Sequence, residues 1–241
     1  MPDIIKTTNL NKHFGKTQAL YDLTIAVAEN SITGLIGSDG SGKTTLMKIL
    51  AGQLGKTSGE ALVFGECPMD NLPILNKIIY ASHDMEHNPE LKLKTILGTF
   101  KIMFPNFDSD LANTLLKQFE LNEKIKYRKL PEGTESIFNF LCALSCRAPL
   151  TMLDQPVLEM DVSIRKSAYE ALLLDFKEHP RTFIISSQSL SDIEETLTDA
   201  LLIDQGKCIL NCPIDDARLS AHRMDENAQA LDSKEGEIER V

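Results

Sequence analysis

The sequence predicts an α/β fold, with a mainly parallel sheet, a small antiparallel sheet and an inserted helical region. Three observations predict it. An apolar run at residues 32–36 leads through a glycine-rich turn into a helical stretch. Strand-like and helix-like runs alternate again after Pro149. Between these two parts, residues 89–147 have apolar side chains at helical spacing.

The elements of the N-terminal half are short. Residues 4–27 contain β-like runs broken at Gly15, which indicates an antiparallel sheet beside the main one. Residues 45–51 are predicted as a helix that Gly52 ends through a left-handed cap. Residues 61–64 read as a further strand between two turns.

The C-terminal half continues the α/β pattern. Strands at residues 150–153 and 182–186 flank a helix at 162–178, which predicts a right-handed parallel crossover. A capping box of Ser191 and Glu194 predicts one more helix. We expect one domain over residues 1–212 and, because residues 213–241 are polar and acidic, a loosely ordered tail. The buried stripe of the crossover helix is predicted at Ile164, Ala168, Leu172 and Phe176.

A phosphate-binding loop is the most specific signal in the chain. It has the strand before it and the helix after it that such a loop requires. Backbone N–H groups of the loop and the positive end of the helix dipole would face one phosphate chain. Lys43 would reach the β- and γ-phosphates, and the Thr44 hydroxyl would hold Mg²⁺. The predicted nucleotide-binding residues here are Gly37, Ser38, Asp39, Gly40, Ser41, Gly42, Lys43, Thr44 and Thr45.

Composition excludes several function classes. A net charge of -10 and a pI near 5.0 argue against nucleic acid as a partner, because that task needs a basic surface. No apolar stretch reaches the roughly 18 to 20 residues that span a bilayer, and the start lacks a signal-peptide pattern. Five cysteines without a Cys-x-x-Cys pair indicate neither disulfides nor zinc, which fits a reducing cytoplasm. Cys142 and Cys146 are expected to be buried.

Asp154 ends the apolar run of residues 150–153. Its carboxylate is therefore expected at the carboxyl end of a buried parallel strand, where open α/β sheets bind ligands. Carboxylate oxygens suit Mg²⁺, so Asp154 is predicted as a second magnesium anchor beside Thr44.

These features, in this order, resemble the nucleotide-binding subunit of an ABC transporter over roughly residues 4–212. The resemblance implies a P-loop NTPase core with an N-terminal antiparallel β subdomain and an inserted α-helical subdomain, here at about residues 89–147. It further implies that Phe14 stacks on adenine and that Asp161 belongs to the D-loop. The other landmarks are the Q-loop at residues 79–83, the signature at 130–134, the Walker B strand at 150–155 and the switch at 186–188.

The resemblance also implies ligands and partners. The cofactors would be ATP and Mg²⁺, with Gln155, Gln188 and His83 at catalytic positions and His83 also near the metal. A second nucleotide-binding subunit, identical or different, would receive the signature residues Pro131, Glu132, Gly133 and Thr134. A separate transmembrane permease would be driven by dimer closure, with the chain cytoplasmic and peripheral on the inner face of the membrane.

The chain differs from the family pattern at the catalytic and signature positions. Gln155 stands where the family has a glutamate that polarises water, and an amide cannot take a proton. General-base assistance is typically worth about 10²- to 10⁴-fold in rate. Gln188 replaces the switch histidine and His83 replaces the Q-loop glutamine. In the signature, Pro131 lacks the family's hydroxyl and Glu132 brings a negative charge toward a polyphosphate.

Three explanations of these departures stay open. The chain is a natural transporter subunit that hydrolyses ATP slowly or only within a complex. Alternatively, Gln155 is an engineered change that traps ATP, although the altered residues 83, 131, 132 and 188 argue against this. In the third explanation the chain is a regulatory module, and nucleotide occupancy alone controls dimerisation or a partner. This needs no hydrolysis, because a ligand that binds only one conformational state stabilises that state.

Overall fold

Two β-sheets form the frame of the molecule. The computed structural model describes residues 2–82, 85–131, 133–157 and 160–219. The strands are β1 (Asp3–Phe14), β2 (Thr17–Ala28), β3 (Ile32–Ile36), β4 (Ser58–Val63), β5 (Ile78–Ser82), β6 (Leu150–Asp154), β7 (Thr182–Ser187), β8 (Asp199–Asp204) and β9 (Lys207–Pro213). The helices are α1 (Lys43–Leu50), α2 (Leu72–Leu75), α3 (Leu93–Met103), α4 (Ser109–Gln118), α5 (Thr134–Ser145) and α6 (Val162–Glu178).

The small sheet is antiparallel, as predicted for the N-terminal region. Its strand order is β2-β1-β4, with β1 paired to both neighbours. Gly15 turns the chain between β1 and β2 with a φ of 57°. Alternate apolar residues of these strands, Ile5, Leu10 and Leu20 among them, are fully buried against α1 and the main sheet.

The main sheet has the order β5-β6-β7-β3-β8-β9. Its first five strands run parallel and β9 returns antiparallel from β8. Because β6, β7 and β3 are neighbours, their carboxyl ends meet at one edge, with Asp154 opposite Ser186 and Ile36 opposite Ser187. That edge is where open α/β sheets bind ligands. The predicted crossover from β6 through α6 to β7 is confirmed.

The predicted helical insertion is also present. It contains α3, α4, α5 and a short 3-10 turn at Tyr127–Lys129. From Ser136 to Ser145, α5 is buried on all sides, which explains its almost continuous apolar sequence. Cys142 and Cys146 are buried, as expected.

A buried ionic cluster ties the helical insertion to the main sheet. Arg147 follows α5 and pairs with Asp108 at 2.9 Å and with Asp175 of α6 at 2.8 Å. Arg181, next to β7, pairs with the other Asp175 oxygen at 2.7 Å. Since Asp175 and Arg181 are almost inaccessible to solvent, Arg181 depends on Asp175 for charge compensation, and Asp175 is compensated by both arginines.

One prediction about the C-terminal part is wrong. The Ser191 capping box starts no α-helix. The Ser191 hydroxyl bonds Ser189 at 2.7 Å, and only a 3-10 turn at Glu194–Thr196 follows. The loosely ordered tail predicted for residues 213–241 is described only at its start, where residues 214–219 are helical and bury Ile214 and Ala217 against the core. Residues 220–241 lie outside the described part of the chain. Among the described helices, none is long and apolar enough to cross a membrane.

Candidate functional site

The phosphate loop lies between β3 and α1, where the sequence predicts it. A Cβ on Gly37 would collide with the Ile203 carbonyl oxygen, and a Cβ on Gly42 would lie 2.8 Å from the Ala19 carbonyl oxygen. Gly42 also has a φ of 108°, which L side chains rarely adopt. The tight backbone path of the loop therefore requires glycine at these positions.

Lys43 is folded back over the loop. Its Nζ donates to the carbonyls of Gly37 at 2.7 Å and Ser38 at 2.8 Å, and the residue is 4% exposed. Burial lowers the pKa of Lys43, while Asp39 and then Asp154 oppose that shift through their negative charge. A lysine ammonium has three donors, so one remains beyond the two used on the loop.

The rest of the loop fits a phosphate chain. Ser38, Asp39 and Thr44 are exposed, and nothing lies within 4 Å of the position a Cβ would take on Gly40. The buried Ser41 Oγ has no hydrogen-bond partner among the described residues. Open space above Gly40 and the start of α1 are features that could accept an anion.

Asp154 sits on the opposite side of this site, at the end of β6. It is 3% exposed, and its oxygens accept from Ser186 Oγ at 2.5 Å and from Tyr80 OH at 2.9 Å. Those two bonds leave part of the carboxylate's acceptor capacity for Mg²⁺ or its waters. Among the described residues no group of three His, Cys, Asp or Glu side chains could hold a metal. The Thr44 hydroxyl and the Asp154 carboxylate offer oxygen atoms, the ligand type that Mg²⁺ prefers.

Two glutamines occupy the positions next to Asp154 and β7. Gln155 has a φ of 49°, and its N–H donates to Ser186 Oγ at 2.8 Å. Gln188 donates from Nε2 to Asp39 Oδ1 at 2.9 Å, which links it to the phosphate loop. Both line a cavity of about 70 Å³. Neither amide can accept a proton from water, so neither side chain could act as a general base there.

A family model described as ABC transporter matches residues 20–158 of the chain. The chain belongs to the ABC transporter family. The ABC transporter ATP-binding protein YtrB of Bacillus subtilis is 27% identical over 191 residues, which cover 79% of the chain and 65% of YtrB. The bacitracin transport ATP-binding protein BcrA of Bacillus licheniformis is 30% identical over 224 residues, covering 89% of the chain and 71% of BcrA.

A solved ABC structure has the same fold. The structure of cbiO1 from Clostridium perfringens, part of the ABC transporter complex cbiONQ, aligns with a TM-score of 0.76 at 16% identity. The alignment covers 100% of each chain. This likeness shows the P-loop NTPase fold, and the family match with the relatives above makes the chain an ABC nucleotide-binding subunit.

In this ABC subunit, Phe14 ends β1 and is 49% exposed. Lys12 Nζ lies 4.8 Å from the centroid of its ring. The β1–β2 hairpin that carries Phe14 approaches the phosphate loop, since Ala19 of β2 contacts Gly42. An exposed ring beside the loop is available for stacking on a base.

The signature and D-loop positions lie on other elements of the ABC subunit. Gly133, with a φ of 78°, leads into α5, which we call the signature helix. Thr134 Oγ1 donates to the carbonyl of exposed Pro131 at 2.5 Å. Exposed Asp161 precedes α6. Within the described ranges, no hydrogen bond joins these residues to the phosphate loop, and the predicted His83 and Glu132 lie outside those ranges.

Sequence reasoning missed two partners of Asp154. The Tyr80 hydroxyl donates to the carboxylate, and Ser186 bonds both Asp154 and Gln155. Both are brought there by the strand order β5-β6-β7. The sequence predicts these two contacts only if the strand order is assumed first. Polar residues of the neighbouring strands can then be placed beside Asp154.

Proposed function

We propose that this ABC subunit binds Mg-ATP and that the nucleotide closes a dimer with a second ABC nucleotide-binding subunit. Dimer closure then drives a separate transmembrane permease. The chain itself would be cytoplasmic, peripheral on the inner face of the cell membrane. Hydrolysis by this chain is slow.

The observation that carries the proposal is the geometry of the phosphate loop. Lys43, held by two loop carbonyls, lies within electrostatic reach of Asp154. Thr44 and Asp154 would hold Mg²⁺ together with phosphate oxygens, because Mg²⁺ prefers oxygen ligands and keeps several of its waters. The names of YtrB and BcrA as ATP-binding proteins support the same ligand.

Slow hydrolysis is inferred from the side chains around the cavity at Gln155 and Gln188. The two amides can orient water but cannot remove its proton, which costs about 10²- to 10⁴-fold in rate. Pro131 offers its partner neither a hydroxyl nor a backbone N–H. A dimer of two identical subunits would therefore have all of these defects in both of its nucleotide sites. With a different partner subunit, each nucleotide site would still contain at least one defective element.

A second candidate function is a regulatory module that binds ATP without turnover. The replacement of both catalytic positions by glutamine, in a site whose binding loop is complete, favours it. Occupancy alone would then set the fraction of closed dimer through mass action.

Calorimetric titration with Mg-ATP tests the binding step. Lys43→Ala is expected to abolish measurable binding, while Lys48→Ala, in the last turn of the same helix, retains it. Light scattering behind a sizing column then measures the dimer with and without Mg-ATP. Binding without any nucleotide-dependent association would refute the dimer mechanism.

A further inference from the structure

One face of the exposed Phe14 ring is covered by a cation. Nζ of Lys12 lies over the ring, 4.8 Å from its centroid, and donates to the Gly55 carbonyl at 2.6 Å. Lys12 itself is half-buried, because its stem follows β1 toward the core. Phe14 nevertheless stays 49% exposed, so the ring keeps free surface for a ligand.

The carbonyl that holds the cation has a fixed place relative to β1. The Thr57 N–H donates to the Asn11 carbonyl at 2.9 Å. The His13 N–H in turn donates to Thr57 Oγ1 at 2.9 Å. These bonds flank the bond of Lys12 to Gly55, so the loop after α1 is attached to the end of β1 at three points. Lys12 is therefore held over the ring by a group that cannot move away on its own.

The hairpin that carries Phe14 is also fixed to the phosphate loop, through the turn between β8 and β9. The Gly206 N–H donates to the Ser41 carbonyl at 2.9 Å, and the Gly206 carbonyl accepts from the Tyr21 N–H of β2 at 2.9 Å. A Cβ on Gly206 would lie 2.5 Å from the Ala19 carbonyl oxygen. Backbone contacts without room for a side chain therefore set the spacing between the hairpin and the phosphate loop.

This arrangement suits a nucleotide better than a phosphate chain alone. A nucleotide held by its phosphates places a flat base close to the loop, and flat bases stack on aromatic rings. A ring that is already ordered loses less conformational freedom when a ligand binds. A cation over one face orders the ring and leaves the opposite face for the base.

We propose that Lys12 is a positioning residue for the base of the bound nucleotide. It occupies one face of Phe14, so that the base stacks on the other face. Lys12 acts through the ring rather than on the phosphates or the metal. The inference rests on the proposed function, because it needs a nucleotide at the phosphate loop.

Calorimetric titration with two ligands separates the base from the phosphates. Mg-ATP carries both, whereas Mg-tripolyphosphate has no base. The parent is compared with three variants. Lys12→Met keeps an unbranched side chain but removes the cation, and Lys12→Arg keeps the cation. Lys6→Met is the matched control, since it removes the same charge from an exposed position of β1.

Lys12→Met should bind Mg-ATP about two- to fivefold more weakly than the parent, and Mg-tripolyphosphate as well as the parent does. Lys12→Arg and Lys6→Met should bind both ligands like the parent. Equal weakening toward both ligands would show an effect of charge or folding and overturn the inference. Unchanged binding of Mg-ATP by Lys12→Met would overturn it too.

The parent alone separates this inference from the proposed function. A parent that binds Mg-tripolyphosphate as tightly as Mg-ATP overturns the inference alone, because the base then adds nothing. A parent that binds neither ligand refutes the proposed function, and the inference falls with it.

NMR of the unaltered chain gives a second reading that does not depend on Lys12→Met folding. Protons over an aromatic ring are shifted upfield. The Hε resonances of Lys12, assigned with Lys12→Arg, should therefore lie upfield of those of the exposed Lys6, before and after Mg-ATP is added. Absence of this shift would show that the cation does not cover the ring. Its loss on binding would show that the base displaces Lys12, and either result overturns the inference.

Discussion

Nε2 of Gln188 donates a hydrogen bond to Oδ1 of Asp39 at 2.9 Å, which joins the residue after β7 to the phosphate loop. Asp39 is exposed and places a negative charge beside the lysine that would meet the phosphates. An ATP polyphosphate bound here would therefore be repelled by Asp39, and Gln188 offsets this only as a neutral donor.

Asp39→Asn should tighten Mg-ATP binding. Two unit charges about 4 Å apart in water interact by about 1 kcal/mol, so a gain of about fivefold in affinity is expected. Calorimetric titration at low and high salt measures it, and the gain should shrink at high salt because ions screen exposed charges. Asp70→Asn, in the turn before α2, serves as the control. Unchanged or weaker binding by Asp39→Asn would contradict the repulsion.

Ser186→Ala should destabilise the fold at the metal site. The hydroxyl both donates to Asp154 and accepts from the Gln155 N–H, so its loss removes the partner of that N–H and of Asp154 Oδ1, while Asp154 Oδ2 keeps Tyr80. Buried unpaired groups cost about 1–3 kcal/mol, or roughly 2–12 °C in melting temperature for a chain of this size. Differential scanning calorimetry measures the shift. The exposed Ser163→Ala should melt like the parent, and equal melting of Ser186→Ala would refute the role of Ser186.

Asp175→Leu should be among the most damaging single changes. It leaves Arg181 buried without its partner, which typically costs about 3–5 kcal/mol. A double variant, Asp175→Leu with Arg181→Met, should recover much of that loss, while Arg147 keeps its pair with Asp108. Denaturant unfolding measures the free energies, with the exposed Glu178→Leu of the same helix as control. Equal losses in the single and double variants would show that the ion pair is not the cause.

Stability should fall as the solution is acidified through the ordinary titration range of histidine. Burial lowers the pKa of His87 below its usual 6.5, although the hydrogen bond to Asn139 opposes the shift. Between the folded and unfolded pKa values the unfolded chain binds more protons, so unfolding free energy rises with pH there and is lost as pH falls. Urea unfolding at about pH 7.5 and about pH 5.5 measures this. The loss of unfolding free energy on acidification should be smaller in His87→Phe and unchanged in the control His13→Phe, whose histidine is exposed. Equal losses in the parent and both variants would contradict the role of His87.

Local patterns predicted most of the fold. Three features could be predicted because each depends on residues that are close together in sequence. They are the glycine spacing of residues 37–42, the crossover around α6 and the apolar stretch of α5. The Ser191 and Glu194 pattern failed because a capping box describes a helix start without supplying the apolar face that stabilises a helix.

The contacts that complete the site could not be predicted in this way. Tyr80 and Asp154 are 74 residues apart in sequence, and Lys12 and Gly55 are 43 apart. Such pairs meet only once strand order and helix packing are known. Sequence reasoning therefore located the phosphate loop and Asp154 but not the side chains that hold them in place.

Phosphate release at saturating Mg-ATP should be measured for the unaltered chain, Gln155→Glu and Lys43→Ala. A complete binding loop that lacks the chemical group at position 155 is the arrangement under test. It predicts turnover near the Lys43→Ala background for the unaltered chain and a rise of about 10²-fold or more in Gln155→Glu. Turnover of the unaltered chain well above that background, unchanged in Gln155→Glu, would contradict it.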